Sequence, residues 1–156
     1  MNYRPALNIP PVVKNLIIIN VLFLLATWVV KRLGIDLVEI MGMHYPGSDK
    51  FMLHQIFTHM FMHDPNGIFH IFFNMFALWM FGLELENMWG SKKFLFYYML
   101  CGVGAGLANL FIAPFFSTVA PTIGASGSVY GVLVAFGYLF PNRYIYIYFM
   151  LSLIHI

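Results

Sequence analysis

Ile68 to Leu85 reads IFHIFFNMFALWMFGLEL, eighteen residues in which only His70, Asn74 and Glu84 are hydrophilic. At 1.5 Å rise per residue such a run is about 27 Å long, close to the ~30 Å thickness of a bilayer's hydrocarbon core. The pattern predicts a membrane-spanning helix with His70 and Asn74 in its first turns and Glu84 and Glu86 at its end. Residues four apart share a helix face. Polar groups inside a span are costly and turn toward a bundle interior or a wet cavity. This helix is therefore expected to have helical neighbours.

The whole chain carries the same signature. Of its 156 residues 61% are apolar, 19% aromatic and 9% Asp, Glu, Lys or Arg, whereas a soluble domain carries roughly a quarter charged residues. A formal net charge of +2 with this apolar content excludes intrinsic disorder. Eight Lys and Arg, scattered singly or in pairs, do not make a nucleic-acid face. One cysteine, Cys101, excludes an internal disulfide framework.

Upstream, Leu16 to Val30 is apolar apart from Asn20 and Thr27 and is bracketed by Lys14 and by Lys31-Arg32. It predicts a first span, read as an uncleaved anchor because no small-x-small cleavage site follows it. Gly34 to Gly67 holds four acids and four histidines with amphipathic pieces such as Phe51 to Met62. That stretch is too polar to span and is expected to lie in the interface against the bundle. Asp64-Pro65-Asn66-Gly67 is a turn signal closing it.

Downstream, Gly90-Ser91-Lys92-Lys93 breaks the pattern, and Phe94 to Ala113 predicts a third span ending at Pro114. After an uncharged loop, Ser126 to Phe140 predicts a fourth helix, whose length of roughly 22 Å falls short of a ~30 Å core, so its start is expected below the membrane surface. Pro141-Asn142-Arg143 is a turn, and Tyr144 begins a fifth apolar stretch, read as a broken helix. The 13 residues from Tyr144 to Ile156 are too few to cross a bilayer. The final six, Leu151 to Ile156, are also what one frame of a common transposon-end sequencing adapter encodes. Residues 151–156 are accordingly expected to be a non-native tail on a domain of residues 1–150.

With the N-terminus inside, five basic residues (Arg4, Lys14, Lys92, Lys93, Arg143) face the cytoplasm against three outside. His70, Asn74 and Ser126 then lie at one external end of the bundle, and flipping the topology would move them together. Ser126 sits in Gly124-Ala125-Ser126-Gly127, where glycines permit a tight turn and close approach. At a helix N-terminus its hydroxyl lies beside free backbone amides and the positive end of the dipole. A serine nucleophile with amide and imidazole donors nearby fits acyl transfer, His70 and Asn74 stabilising the oxyanion.

These residues resemble the rhomboid family of intramembrane serine proteases. His70-Ile71-Phe72-Phe73-Asn74 is similar to the family's His-x-x-x-Asn, and Gly124-Ala125-Ser126-Gly127 to its Gly-x-Ser-Gly nucleophile motif. Glu86 and Gly90 are similar to its Glu-x-x-x-Gly, and Tyr130 to an aromatic lining the catalytic pocket, with Gly124 in the same substrate-binding region. The resemblance implies an all-α, polytopic helix bundle of six core helices, about five of them present here, with an interfacial first loop and a short fourth helix. It also implies cleavage of a partner's transmembrane segment, with no cofactor or metal, from an active site opening to the external side of the plasma (inner) membrane. Two departures stand out. The family's first loop often carries Trp-Arg where this chain has His54-Gln55, which puts that loop's anchoring in doubt. The family's base histidine is on the sixth helix, whereas His155, the only histidine after Ser126, is in the suspect tail and is rejected as the base. The fragment by itself is then expected to be inactive.

Blander readings stand beside these. Ser126 can be a helix cap, His70 and Asn74 interhelical glue, and Glu86 a structural acid paired with loop groups. His59 and His63 could hold a metal with His54 or His70, but no His-Glu-x-x-His occurs, and hydrogen bonds tying the loop to the bundle are the favoured reading. Rival functions are a non-catalytic rhomboid-like protein that binds transmembrane clients and a small transporter or metal-handling protein.

Overall fold

The computed structural model describes residues 9–112, 115, 120–147 and 152–155. Three of its helices are long and apolar enough to cross a membrane: α1 (Pro11–Lys31), α4 (Ile68–Trp89) and α5 (Ser91–Ile112). Two short helices, α2 (Leu37–Met41) and α3 (Gln55–Thr58), lie in the loop between α1 and α4, and α3 runs on into a 3-10 turn over His59–Phe61. The fourth apolar helix, α6 (Ser126–Leu139), has 14 residues, so at about 21 Å it is shorter than the core it occupies. The expected spans, the loop and the short helix are all present.

The expected fifth helix is not. Tyr144–Ile147 forms strand β1 and pairs antiparallel with β2 (Ser152–His155), Tyr144 opposite His155 and Ile147 opposite Ser152. Tyr-Ile-Tyr-Ile is a strand former by propensity. A hairpin also pairs backbone groups that a short helical stub would leave open at its end. His155 lies on this hairpin.

Lipid tails are as apolar as leucine, so side-chain transfer alone does not drive helices together in a membrane; close packing and internal hydrogen bonds do. The α5–α6 contact has both. At Gly102 an added Cβ would run into Met60 and Ser128, at Gly127 into Ala105, and at Gly131 into Cys101, so these backbones approach where only glycine fits. The Ser128 hydroxyl donates to the Tyr98 carbonyl at 2.8 Å, and the Tyr97 hydroxyl donates to the Gly131 carbonyl at 2.8 Å. Leu78, Leu85, Phe94, Tyr98 and Val132 are wholly buried between the helices. Val29, Phe69, Phe96, Phe111 and Val134 face outward, apolar as lipid contact requires.

The end of the bundle remote from Ser126 is tied by one acid. Glu86 near the C-terminus of α4 is buried, and its carboxylate accepts from the Val12 amide at 3.0 Å, the Val13 amide at 2.8 Å and the Ser91 hydroxyl at 2.6 Å. Helix α1 begins Pro10-Pro11 and has no side-chain cap of its own. Glu86 supplies from another helix the negative charge and the acceptors that a helix N-terminus lacks. Gly90, at φ +79°, then lets the chain reverse into α5 within one residue.

Glu86→Ala leaves two buried amides unsatisfied and is expected to cost about 2–4 kcal/mol, read as a lowered midpoint of unfolding in detergent micelles. Glu84→Gln, which removes only the exposed ion pair with Arg143, is expected to cost less than about 1 kcal/mol.

Candidate active site

The segment before α6 is held from the side by the first loop. Met43 and Thr122 form an antiparallel bridge with amide-to-carbonyl distances of 2.9 and 2.8 Å. Two residues on, the Gly124 amide donates to the His59 carbonyl at 2.9 Å. Gly124 adopts φ +115°, a conformation that L side chains rarely adopt. It aims the chain into α6 so that Ala125 is the N-cap and Ser126 the first helical residue.

His70 and Ser126 meet at this glycine. The point where a Cβ on Gly124 would sit is 3.0 Å from His70 Cε1, 3.4 Å from His70 Nε2 and 3.7 Å from Ser126 Oγ. His70 is exposed and Ser126 half-buried, so both are reachable, while Gly124 and Ala125 are buried beneath them. No side chain caps α6, and among the described residues the Ser126 hydroxyl makes no hydrogen bond, so it is not acting as a cap. The amides of the first turn of α6 lie beside it without intrahelical acceptors.

Asn74 lies one turn below His70, buried, and its Nδ2 donates to the His70 carbonyl at 2.8 Å. An amide has two hydrogens, so one remains for a second acceptor. Tyr130, one turn beyond Ser126 on α6, is 69% exposed.

The loop's anchor is a residue that sequence reasoning undervalued. Gln55, in the place where the family often has Arg, is wholly buried and fully hydrogen-bonded. Its Oε1 accepts from the His44 amide at 3.2 Å and the Met52 amide at 3.1 Å, while Nε2 donates to the Ile40 carbonyl at 3.1 Å and the Lys50 carbonyl at 2.9 Å. One amide thus gathers the whole 40–55 segment. His54 Nε2 also contacts the Ile40 carbonyl at 3.1 Å, and the Thr58 hydroxyl donates to the Met41 carbonyl at 2.7 Å. The only sequence signal was an uncharged polar residue within the amphipathic stretch Phe51 to Met62.

The four histidines named as possible metal ligands do not share one centre. His54 is engaged with Ile40, and His59 Nδ1 contacts the Gln55 carbonyl at 2.9 Å while its ring packs on Gly106. His63 is 0% exposed, with neither ring nitrogen hydrogen-bonded, and its ring centroid is 5.5 Å from that of His70. Burial lowers the pKa of His59, and burial followed by the charge of His70 pushes that of His63 down to about 4.

A polytopic bundle with a serine at the foot of a short helix and an imidazole beside it narrows the class, and comparison with known proteins completes it. The family model for the Rhomboid domain matches residues 50–156. The chain belongs to the rhomboid family and is a multi-pass integral membrane protein. It is 38% identical over 81 residues to Rhomboid protein 1, mitochondrial, of Saccharomyces cerevisiae, covering 51% of this chain and 23% of that one. Rhomboid protease GluP of Bacillus subtilis is 38% identical over 73 residues, 47% of this chain and 13% of that one. Presenilin-associated rhomboid-like protein, mitochondrial, of Rattus norvegicus is 31% identical over 68 residues, 44% and 18% of the two chains. The matched segment is thus under a quarter of each of these relatives' lengths.

A buried neutral histidine makes stability pH-dependent. Below pH 6.5 the unfolded chain protonates His63 while the folded chain resists until about pH 4. Stability is expected to be full above pH 6.5 and to fall as the pH drops through that window. His63→Phe should flatten the profile, as measured by denaturant midpoints in micelles at neutral pH and near pH 5.

Proposed function

We propose that this chain carries the nucleophile half of a rhomboid intramembrane serine endopeptidase acting on transmembrane segments of other membrane proteins. The observation that carries the reading is the convergence of Ser126 Oγ and the His70 ring on Gly124. Ser126 attacks the scissile carbonyl, forming a C–O bond to Oγ. The oxyanion that develops takes hydrogen bonds from the first-turn amides of α6, from His70 and from the free amide hydrogen of Asn74. Collapse breaks the C–N bond, the Ser126 proton passes through a general base to the leaving amine, and water then hydrolyses the acyl-enzyme.

The base in this reading is a histidine on the family's sixth helix, and the part of the rhomboid domain proposed for this chain is residues 1–150. Gly124 keeps the approach to Ser126 clear, and the exposed Tyr130, one turn on, is the second residue proposed to meet substrate. The short α6, 14 residues against 22 in each of α4 and α5, supports access for water at its N-terminus. The orientation proposed has a cytoplasmic N-terminus in the plasma (inner) membrane and the active site opening externally. The reaction needs no cofactor.

The rival is a rhomboid-like protein that binds transmembrane clients without cutting them. Fluorophosphonate labelling of the full-length gene product decides between them. Labelling lost in Ser126→Ala, and slowed about 10²–10³-fold in His70→Ala and Asn74→Ala, is the expected result. A folded full-length protein that takes no label, or a label that persists in Ser126→Ala, would overturn the protease.

A further inference from the structure

His63 needs an explanation that the proposed reaction does not supply. A wholly buried imidazole with no well-aligned hydrogen bond, only the Phe61 backbone lying near enough to bear on it, is a costly group, and such groups usually mark a water, an ion or a chemical role. Its nearest titratable neighbour is the His70 ring, whose nitrogens are also without a hydrogen bond among the described residues. The ring centroids are 5.5 Å apart with planes inclined at 59°. A tetrahedral zinc ion with Zn–N distances of about 2.1 Å holds the centroids of two imidazoles about 5 Å apart. The ring separation is thus close to that of a two-histidine chelate.

We infer that His63 and His70 form a binding site for a zinc-class divalent cation, entered from the exposed His70 side. His63 is already neutral at physiological pH, so the ion displaces no proton from it. Among the described residues no third His, Cys, Asp or Glu joins the pair; water, with the Ser126 hydroxyl beside His70, completes the coordination. Half a ligand set holds the ion loosely, with a dissociation constant on the order of 1–100 μM rather than the far tighter binding of a structural finger. His54 and His59 do not join the pair: among the described residues no three such side chains converge.

The consequence for chemistry rests on the protease reading. An ion on His70 takes the imidazole away from the oxyanion position, so the metal is an inhibitor and not a cofactor.

Calorimetric titration of the chain in detergent micelles with ZnCl2 at neutral pH tests the site. One ion per chain is expected, weakened at least tenfold in both His63→Phe and His70→Gln and unchanged in His54→Gln. Absence of binding up to about 1 mM, or equal affinity in all four proteins, would overturn the site. His70 is exposed, so His70→Gln carries the test even where His63→Phe does not fold. In the full-length protein zinc should slow labelling of Ser126, and His63→Phe should relieve that effect. Binding with unaltered labelling overturns the inhibition. A full-length protein that never labels overturns the protease and leaves the zinc titration standing.

Discussion

The hydrogen bond from the Gly124 amide to the His59 carbonyl joins the two halves of the site. On one side is the interfacial loop, gathered by Gln55 and laid along the chain by the Met43–Thr122 bridge. On the other is the foot of α6, where a backbone turn only glycine takes easily delivers Ser126 to the first position of the helix. Move the loop and the turn loses its support. Move the turn and Ser126 leaves His70. The loop is therefore as much a part of the site as the residues that would touch substrate.

Hydrocarbon surroundings explain why so few polar residues do so much. Each ties a backbone group of another segment of the chain. Glu86 closes the N-terminus of α1, Ser128 and Tyr97 stitch α5 to α6, and Thr58 and Gln55 satisfy loop carbonyls. In water each of these bonds would compete with solvent and yield little; inside a bundle the alternative is an unsatisfied group. Ser126 is the contrast. Its hydroxyl stands unbonded beside free amides, and His63 keeps two bare nitrogens behind His70. Among the described residues the buried side-chain atoms without a partner are Asn20 Oδ1 and the Tyr98 hydroxyl within the bundle and the two ring nitrogens of His63, and only the last stand beside the place where chemistry is proposed.

The spans were legible because their signal is compositional: long apolar runs bounded by Lys, Arg, Gly or Pro. The loop was half legible. Its interfacial character followed from mixed composition, but the substitution of His54-Gln55 for the family's usual pair looked like a weakness, and the fold makes Gln55 its keystone. A side-chain amide is an anchor only when two donors and two acceptors surround it, and no local pattern announces that arrangement. The exposure of Tyr130 was not legible either, since it depends on which face of α6 meets its neighbours. The fifth helix failed because a strand-forming sequence too short to span can satisfy its backbone more fully as a hairpin.

By itself, then, the sequence determined that this is a polytopic helical membrane protein, where its long helices run, and that His70, Asn74 and Ser126 share one end of the bundle. Periodicity, length and transfer free energy act locally, so they can be read along the chain. Only the tertiary structure decided that His70 and Ser126 meet across Gly124, that Glu86 caps a helix more than seventy residues away, and that His63 is buried against His70. The first two are relations between residues far apart in the chain, and the third, though its partners are seven residues apart, depends like them on how the helices pack, on surfaces that no single segment contains.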